Sequence, residues 1–184
     1  MVIIIVTIVL VIFIAVTIIL RIFTGEFFFM APSNSKMDRY LKANINELSC
    51  VADTLLELDY DSIVIRKAHL REEDKYNMDV SKDKFFNGSP NGSDRETIPI
   101  PYELIGSINK LHESGVRVIT CSRNSVNFSV WAFMGDVRGI IYSKAGKIPD
   151  GGSIIKTRQL SKENWYYYID NFEKWKARNP DLFQ

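Results

Sequence analysis

Cysteine, histidine and net charge are all scarce in this 184-residue chain. Cys50 and Cys121 lie far apart and neither has a CxxC neighbour, which excludes a structural zinc knuckle and a thioredoxin-like redox pair. They read as two free thiols, or as one disulfide if the domain faces an oxidising compartment. With only His69 and His112 there is no paired-histidine motif, and HExxH and calcium-loop patterns are missing too. No metal or cofactor is expected. The 23 basic and 22 acidic residues leave a formal charge of +1, so the electrostatic footprint of a nucleic-acid binder is absent. Gly151-Gly152 follows Pro149-Asp150 without a Lys-Ser/Thr pair behind it, which reads as a turn and not a phosphate cradle.

Long uncharged segments, by contrast, are present. Met1 to Leu20 carries no charge, and nothing in it is more polar than Thr7 and Thr17. At about 1.5 Å per helical residue, residues 1–22 match the roughly 30 Å hydrocarbon core of a bilayer and predict a transmembrane anchor. A cleaved secretory signal would have a basic start and a shorter apolar core than this run offers. A water-facing helix also fits poorly, because Val, Ile and Thr fill 15 of these 20 positions. In lipid, helix is the only single-segment way to satisfy the backbone, and such residues are accommodated. Arg21, Lys36, Arg39 and Lys42 follow the run, which leans toward a cytoplasmic C-terminal domain. Three Asn-x-Ser/Thr triplets, at Asn87, Asn91 and Asn127, would lean the other way in a glycosylating host.

Behind the anchor the pattern predicts a tether over 23–35, with Phe27, Phe28 and Phe29 at the membrane interface, and one domain over 36–184. Ser33 or Ser35 caps an amphipathic helix from about Lys36 to Leu58, whose stripe Leu41, Ile45, Leu48, Ala52 and Leu55 faces the core. Asp61 to His69 reads as a strand. Arg71 to Thr97, which begins with Glu72, Glu73 and Asp74, reads as a polar loop with a short edge strand near Met78 to Val80. Pro99 or Pro101 opens a second helix with Tyr102, Ile105, Ile108 and Leu111 on one face, ended by Gly115. Strands follow at 116–122, 126–133, 139–143, 153–160 and 165–169, before a terminal helix at 171–178. Connections this short permit only antiparallel neighbours. The expected fold is therefore α+β: an N-terminal transmembrane helix, then an antiparallel sheet packed against two or three helices.

The candidate chemistry is sparse. His112 late in a helix reads as a solvated or capping histidine, and a Cys121–His112 dyad has no local signature. The aromatics are more distinctive. In Trp165-Tyr166-Tyr167-Tyr168, strand alternation sends Trp165 and Tyr167 one way and Tyr166 and Tyr168 the other. Trp131 and Phe133 fall opposite Phe128 and Val130 by the same rule. One pair of rings is core. The second is either covered by a helix, which makes both faces core and is the slightly favoured reading, or left at the surface. Clustered rings at a surface suit a protein-interaction site, with Trp131, Phe133, Tyr166 and Tyr168 as the candidate partner-binding residues.

The runs Gly139-Ile140-Ile141-Tyr142-Ser143, Gly146-Lys147-Ile148-Pro149 and Trp165-Tyr166-Tyr167-Tyr168 resemble the C-terminal half of small membrane-anchored proteins of Gram-positive bacteria. Those proteins have no established activity, so the resemblance implies no functional residue. Many of them begin with lysines that imply an outward-facing domain, and this chain lacks such lysines. The expectation is a membrane-tethered, non-enzymatic interaction domain of the immunity or inhibitor type. A sensory or accessory subunit binding a small ligand is the second reading, and a thiol enzyme the third.

Overall fold

The computed structural model describes residues 12, 13, 16, 31–67, 77–82, 85–86, 89–90, 96–133, 135–147 and 153–178. The anchor expected over 1–22 therefore lies outside the described residues, except for Ile12, Phe13 and Val16, which are helical and exposed. Among the described residues no helix is long and apolar enough to cross a membrane. The chain divides into two compact units, Met1–Pro32 and Ser33–Gln184.

The described residues of the second unit form four helices and ten strands. Helix α1 is Asn34–Ala43 and α2 is Ile45–Glu57. The single helix expected over 36–58 is broken at Asn44, whose φ of −122° and ψ of 17° leave the helical region. The cause is local. The Asn44 side-chain amide donates to the Tyr40 carbonyl at 2.9 Å, offering the backbone an alternative to helix continuation. Ser33 caps α1 by accepting from the Lys36 amide at 3.4 Å. Leu41, Leu48, Ala52 and Leu55 are buried as their spacing requires.

Helix α3, Tyr102–Glu113, begins after Pro101 and ends where Gly115 takes a φ of +112°, a value favouring glycine. Its buried face is Leu104, Ile108, Leu111 and His112, with Ile105 packed against the core. The expected stripe therefore holds except at Tyr102, which is 88% exposed, and His112 is buried and not solvated. Tyr102 departs because it occupies the first helical position, before the stripe meets the core.

Strands β1 (Ser62–Arg66), β2 (Asn77–Ser81), β5 (Glu96–Pro99), β6 (Val118–Ser122), β7 (Ser125–Phe133), β8 (Asp136–Ser143), β9 (Ile154–Gln159) and β10 (Trp165–Asn171) form one sheet. Their order is β5-β2-β1-β6-β7-β8-β10-β9, and every pairing is antiparallel. The two-residue strands β3 (Phe85–Phe86) and β4 (Ser89–Pro90) pair separately, and β4 lies against β1 and β2. The architecture is thus α+β with an eight-stranded antiparallel sheet. Two details differ from the sequence-based expectation. The segment near Met78 is an interior strand, with β5 outside it, and β9 lies beyond β10 as the opposite edge. Short α4, Phe172–Arg178, lies beside β9.

Helices α1, α2 and α3 cover one sheet face. Ile63 and Ile65 of β1, Ile119 of β6, Val126 and Phe128 of β7, Ile140 of β8, and Trp165 and Tyr167 of β10 meet Leu41, Leu48, Leu55, Leu104 and Ile108 there. Each such side chain contributes about 1.5–3 kcal/mol by leaving water. Removing one, as in Leu48→Ala, costs about 2–5 kcal/mol because the packed neighbours close the gap only in part.

Candidate functional site

Strands β7, β8 and β10 run past the first residue of β6, and the extra length carries the most distinctive polar cluster. Val118 of β6 pairs with Ser129, so Trp131 to Phe133 have no β6 partner. Between Ser129 and Trp131 the β7–β8 register shifts by a bulge. The extra residue reverses the alternation, and Trp131 lands opposite Arg138. Arg138 and Ile140 alternate on β8, and Ile140 pairs with Phe128, so Trp131 shares the helix-side face with Phe128. That corrects the expectation that the two point apart.

On this face a row runs across the sheet from Trp131 through Arg138 and Ile169 to Lys156. The Arg138 guanidinium lies over the Trp131 ring at 5.3 Å, a cation–π distance. Its Nη1 donates to the Tyr167 hydroxyl at 3.2 Å. Its Nε is buried and has no acceptor. Asp136, two residues along β8, accepts from Asn171 and Lys174. Hydrogen bonding from Asn171, with help from Lys174 and Arg138, holds the Asp136 carboxyl below the usual range despite partial desolvation.

The other candidate aromatics divide. Tyr168 is buried, and its hydroxyl shares a 2.7 Å hydrogen bond with Ser129 Oγ. Burial pushes the Tyr168 phenol up. Tyr166 is half-buried and donates to the Gly146 carbonyl at 2.8 Å. Trp131 retains only 8% of its exposure. Phe133 ends β7 opposite Asp136, and its side chain lies outside the described residues. An open aromatic face is therefore absent at Trp131 and Tyr168. Both sheet faces are buried here, as the 4% exposure of Trp165 and Tyr167 on one side and 3% of Tyr168 on the other show.

Cys121 and His112 are engaged separately. The Cys121 thiol is buried, donates toward the Leu55 and Ser122 carbonyls, and is pushed up to about 12 by desolvation. His112 Nδ1 is 2.9 Å from the Val116 carbonyl oxygen. Five residues of largely extended chain, about 16 Å, separate Val116 from Cys121. Cys50 is exposed on α2, and the two thiols are free. His69, the acidic residues 72–74 and Gly151-Gly152 lie outside the described residues.

A cleft of about 320 Å³ opens beside Cys121, where α2 ends and the β6–β7 turn begins. Asp61 and Arg123 form a two-pronged ion pair in its wall, with Tyr60 and Asn124 nearby. The same sheet edge carries a feature with no sequence signal: Ser81, Ser62, Ser122, Ser125 and Ser143 stand in register across five strands. Ser122 and Ser125 share a 2.9 Å hydroxyl contact, and Ser143 donates to the Lys147 carbonyl. Serines scattered this widely along the chain carry no periodicity, so only strand order reveals the row. Among the described residues no three His, Cys, Asp or Glu side chains gather as a metal site would need.

No family model, curated protein or solved structure matches the chain.

Proposed function

We propose that the chain is a membrane-tethered, non-enzymatic protein-interaction module of the immunity or inhibitor type. The observation that carries the reading is the uncharged run Met1 to Leu20, which joins a domain whose cleft thiol, Cys121, is a poor nucleophile. A buried thiol pushed up to about 12 supplies almost no thiolate at neutral pH. Among the candidate rings whose side chains are described, Tyr166 is the one that is not buried, and it borders the 144–147 turn, which makes that turn the favoured partner contact. Two measurements test this. The full chain should stay with membranes through carbonate extraction, because about 20 apolar residues insert almost irreversibly. A photo-crosslinker at Tyr166 should capture one protein whose measured activity falls when the chain is added. Carbonate release, or a captured protein indifferent to the chain, refutes the respective half.

A second reading is favoured by the cleft at Asp61, Arg123 and Asn124, which suits a small polar ligand. Protection of Arg123 from guanidine-directed labelling by a cellular small-molecule extract would support it, and unchanged labelling would refute it.

A further inference from the structure

Arg138 is a largely enclosed cation whose own chain leaves part of its guanidinium unsatisfied. Its Nη1 has the Tyr167 hydroxyl, and its face has the Trp131 ring. The Nε–Nη2 edge, the fork that receives carboxylate or phosphate oxygens, has no acceptor among the described residues, and Nε is buried. Among those residues no carboxylate pairs with Arg138; its acidic neighbour on the same face, Asp136, is committed to Asn171 and Lys174. Two further cations share the face. Ile169 pairs with Arg138 on one side and Lys156 on the other, while Tyr167 pairs with Arg158. Lys156 and Arg158 are exposed on edge strand β9, so the row opens to solvent on that side. Two strand spacings, about 10 Å, separate the backbones of β8 and β9, a span that side chains of this length close.

We propose that Arg138, Lys156 and Arg158, grouped around Tyr167 and Ile169 beside Trp131, hold a phosphate-type oxyanion. Three cations against one committed carboxylate match a group of more than one negative charge better than a single carboxylate. The Trp131 ring and Tyr167 hydroxyl fix the plane of the guanidinium, so that the open edge is presented in a set direction. The group is a free phosphate or the phosphate of a lipid headgroup, and the site does not depend on the chain being an immunity or inhibitor-type module.

The test uses the full chain in nanodiscs of digalactosyldiacylglycerol, a neutral lipid without phosphate, titrated with inorganic phosphate at constant ionic strength and followed by calorimetry and tryptophan fluorescence. The wild type should bind saturably. Arg138→Gln should weaken binding by about tenfold or more, as loss of a charge-assisted fork does, and the surface double variant Lys156→Gln/Arg158→Gln should weaken it several-fold. A second set of nanodiscs containing phosphatidylglycerol distinguishes the sources. Weaker apparent phosphate binding there identifies a headgroup already in the site, whereas equal binding in both identifies free phosphate as the ligand. Absence of saturable binding in the neutral discs overturns the proposal, as does unchanged binding in a natively melting Arg138→Gln. Should Arg138→Gln fail to fold, the double variant decides, and unchanged binding in it also overturns the proposal.

Discussion

Gly139 lies directly beneath the Tyr168 ring: the two are cross-strand partners, and a Cβ on Gly139 would stand 2.8 Å from Tyr168 Cε1. The same atom would come within 2.0 Å of the Phe128 carbonyl oxygen. A backbone oxygen in a paired strand cannot swing aside as a side chain can. The glycine is therefore required by space, not by an unusual φ. Gly139→Ala should lower stability by about 2 kcal/mol or more through overpacking, measured by denaturant melting. A melt within about 0.5 kcal/mol of wild type would show that β7 and β8 can part without cost.

The buried and half-buried aromatics should separate by stability. Trp131→Ala and Tyr168→Ala remove rings with 8% and 3% exposure, and each should cost about 3–5 kcal/mol. Tyr166→Ala loses one hydrogen bond from a half-buried ring, and about 1 kcal/mol is expected. Equal losses in all three would mean that Tyr166 is as enclosed as the others and unavailable to a partner.

Thiol reactivity should be split between the two cysteines. At neutral pH a disulfide-exchange reagent should modify exposed Cys50 at least about a hundredfold faster than Cys121, whose thiolate is suppressed by burial. Mass spectrometry of the singly labelled protein reads the site. Rapid labelling of Cys121 in the folded chain would revive the thiol-enzyme reading.

Acid should weaken the domain through carboxylates held below their ordinary values. Hydrogen bonding from Ser161, then Lys42, brings Asp38 down from 3.8 to about 2. A depressed folded value means that the stabilisation is complete above 3.8 and disappears as pH falls toward about 2. Asp136 acts in the same direction, through Asn171 first. Because Asp38 is partly open to solvent, screening reduces its share and the effect should be small. Melting temperature against pH should fall less steeply across that interval in Asp38→Asn/Asp136→Asn than in wild type. Parallel curves would assign the acid limb to other groups.

Much of the secondary structure was legible because it depends on neighbours in the chain. The stripe Leu41, Leu48, Ala52 and Leu55 recurs at helical spacing and is core. Gly115 ended its helix, and the short connections joined β6 to β7, β7 to β8 and β9 to β10 as antiparallel neighbours. The same local logic assigned Trp165 and Tyr167 to one face.

Where local rules failed within the sheet, a long-range contact had overruled them. One bulge between Ser129 and Trp131 shifted the side-chain period and carried Trp131 onto the face of Phe128. Nothing in the residues from Val126 to Phe133 distinguishes a bulged strand from a regular one, because the extra residue is defined only against the partner strand. The Arg138 cluster depended on that shift and stayed hidden with it. Strand order was likewise invisible, and with it the five-serine row and the position of β9 at the edge. By itself the sequence determined the α+β class, the apolar stripes and the antiparallel hairpins between closely spaced strands, all set by interactions a few residues apart. Only the tertiary structure decided which residues share a face and that Arg138 lacks a full set of acceptors, because register and burial are properties of strands meeting, not of any one strand.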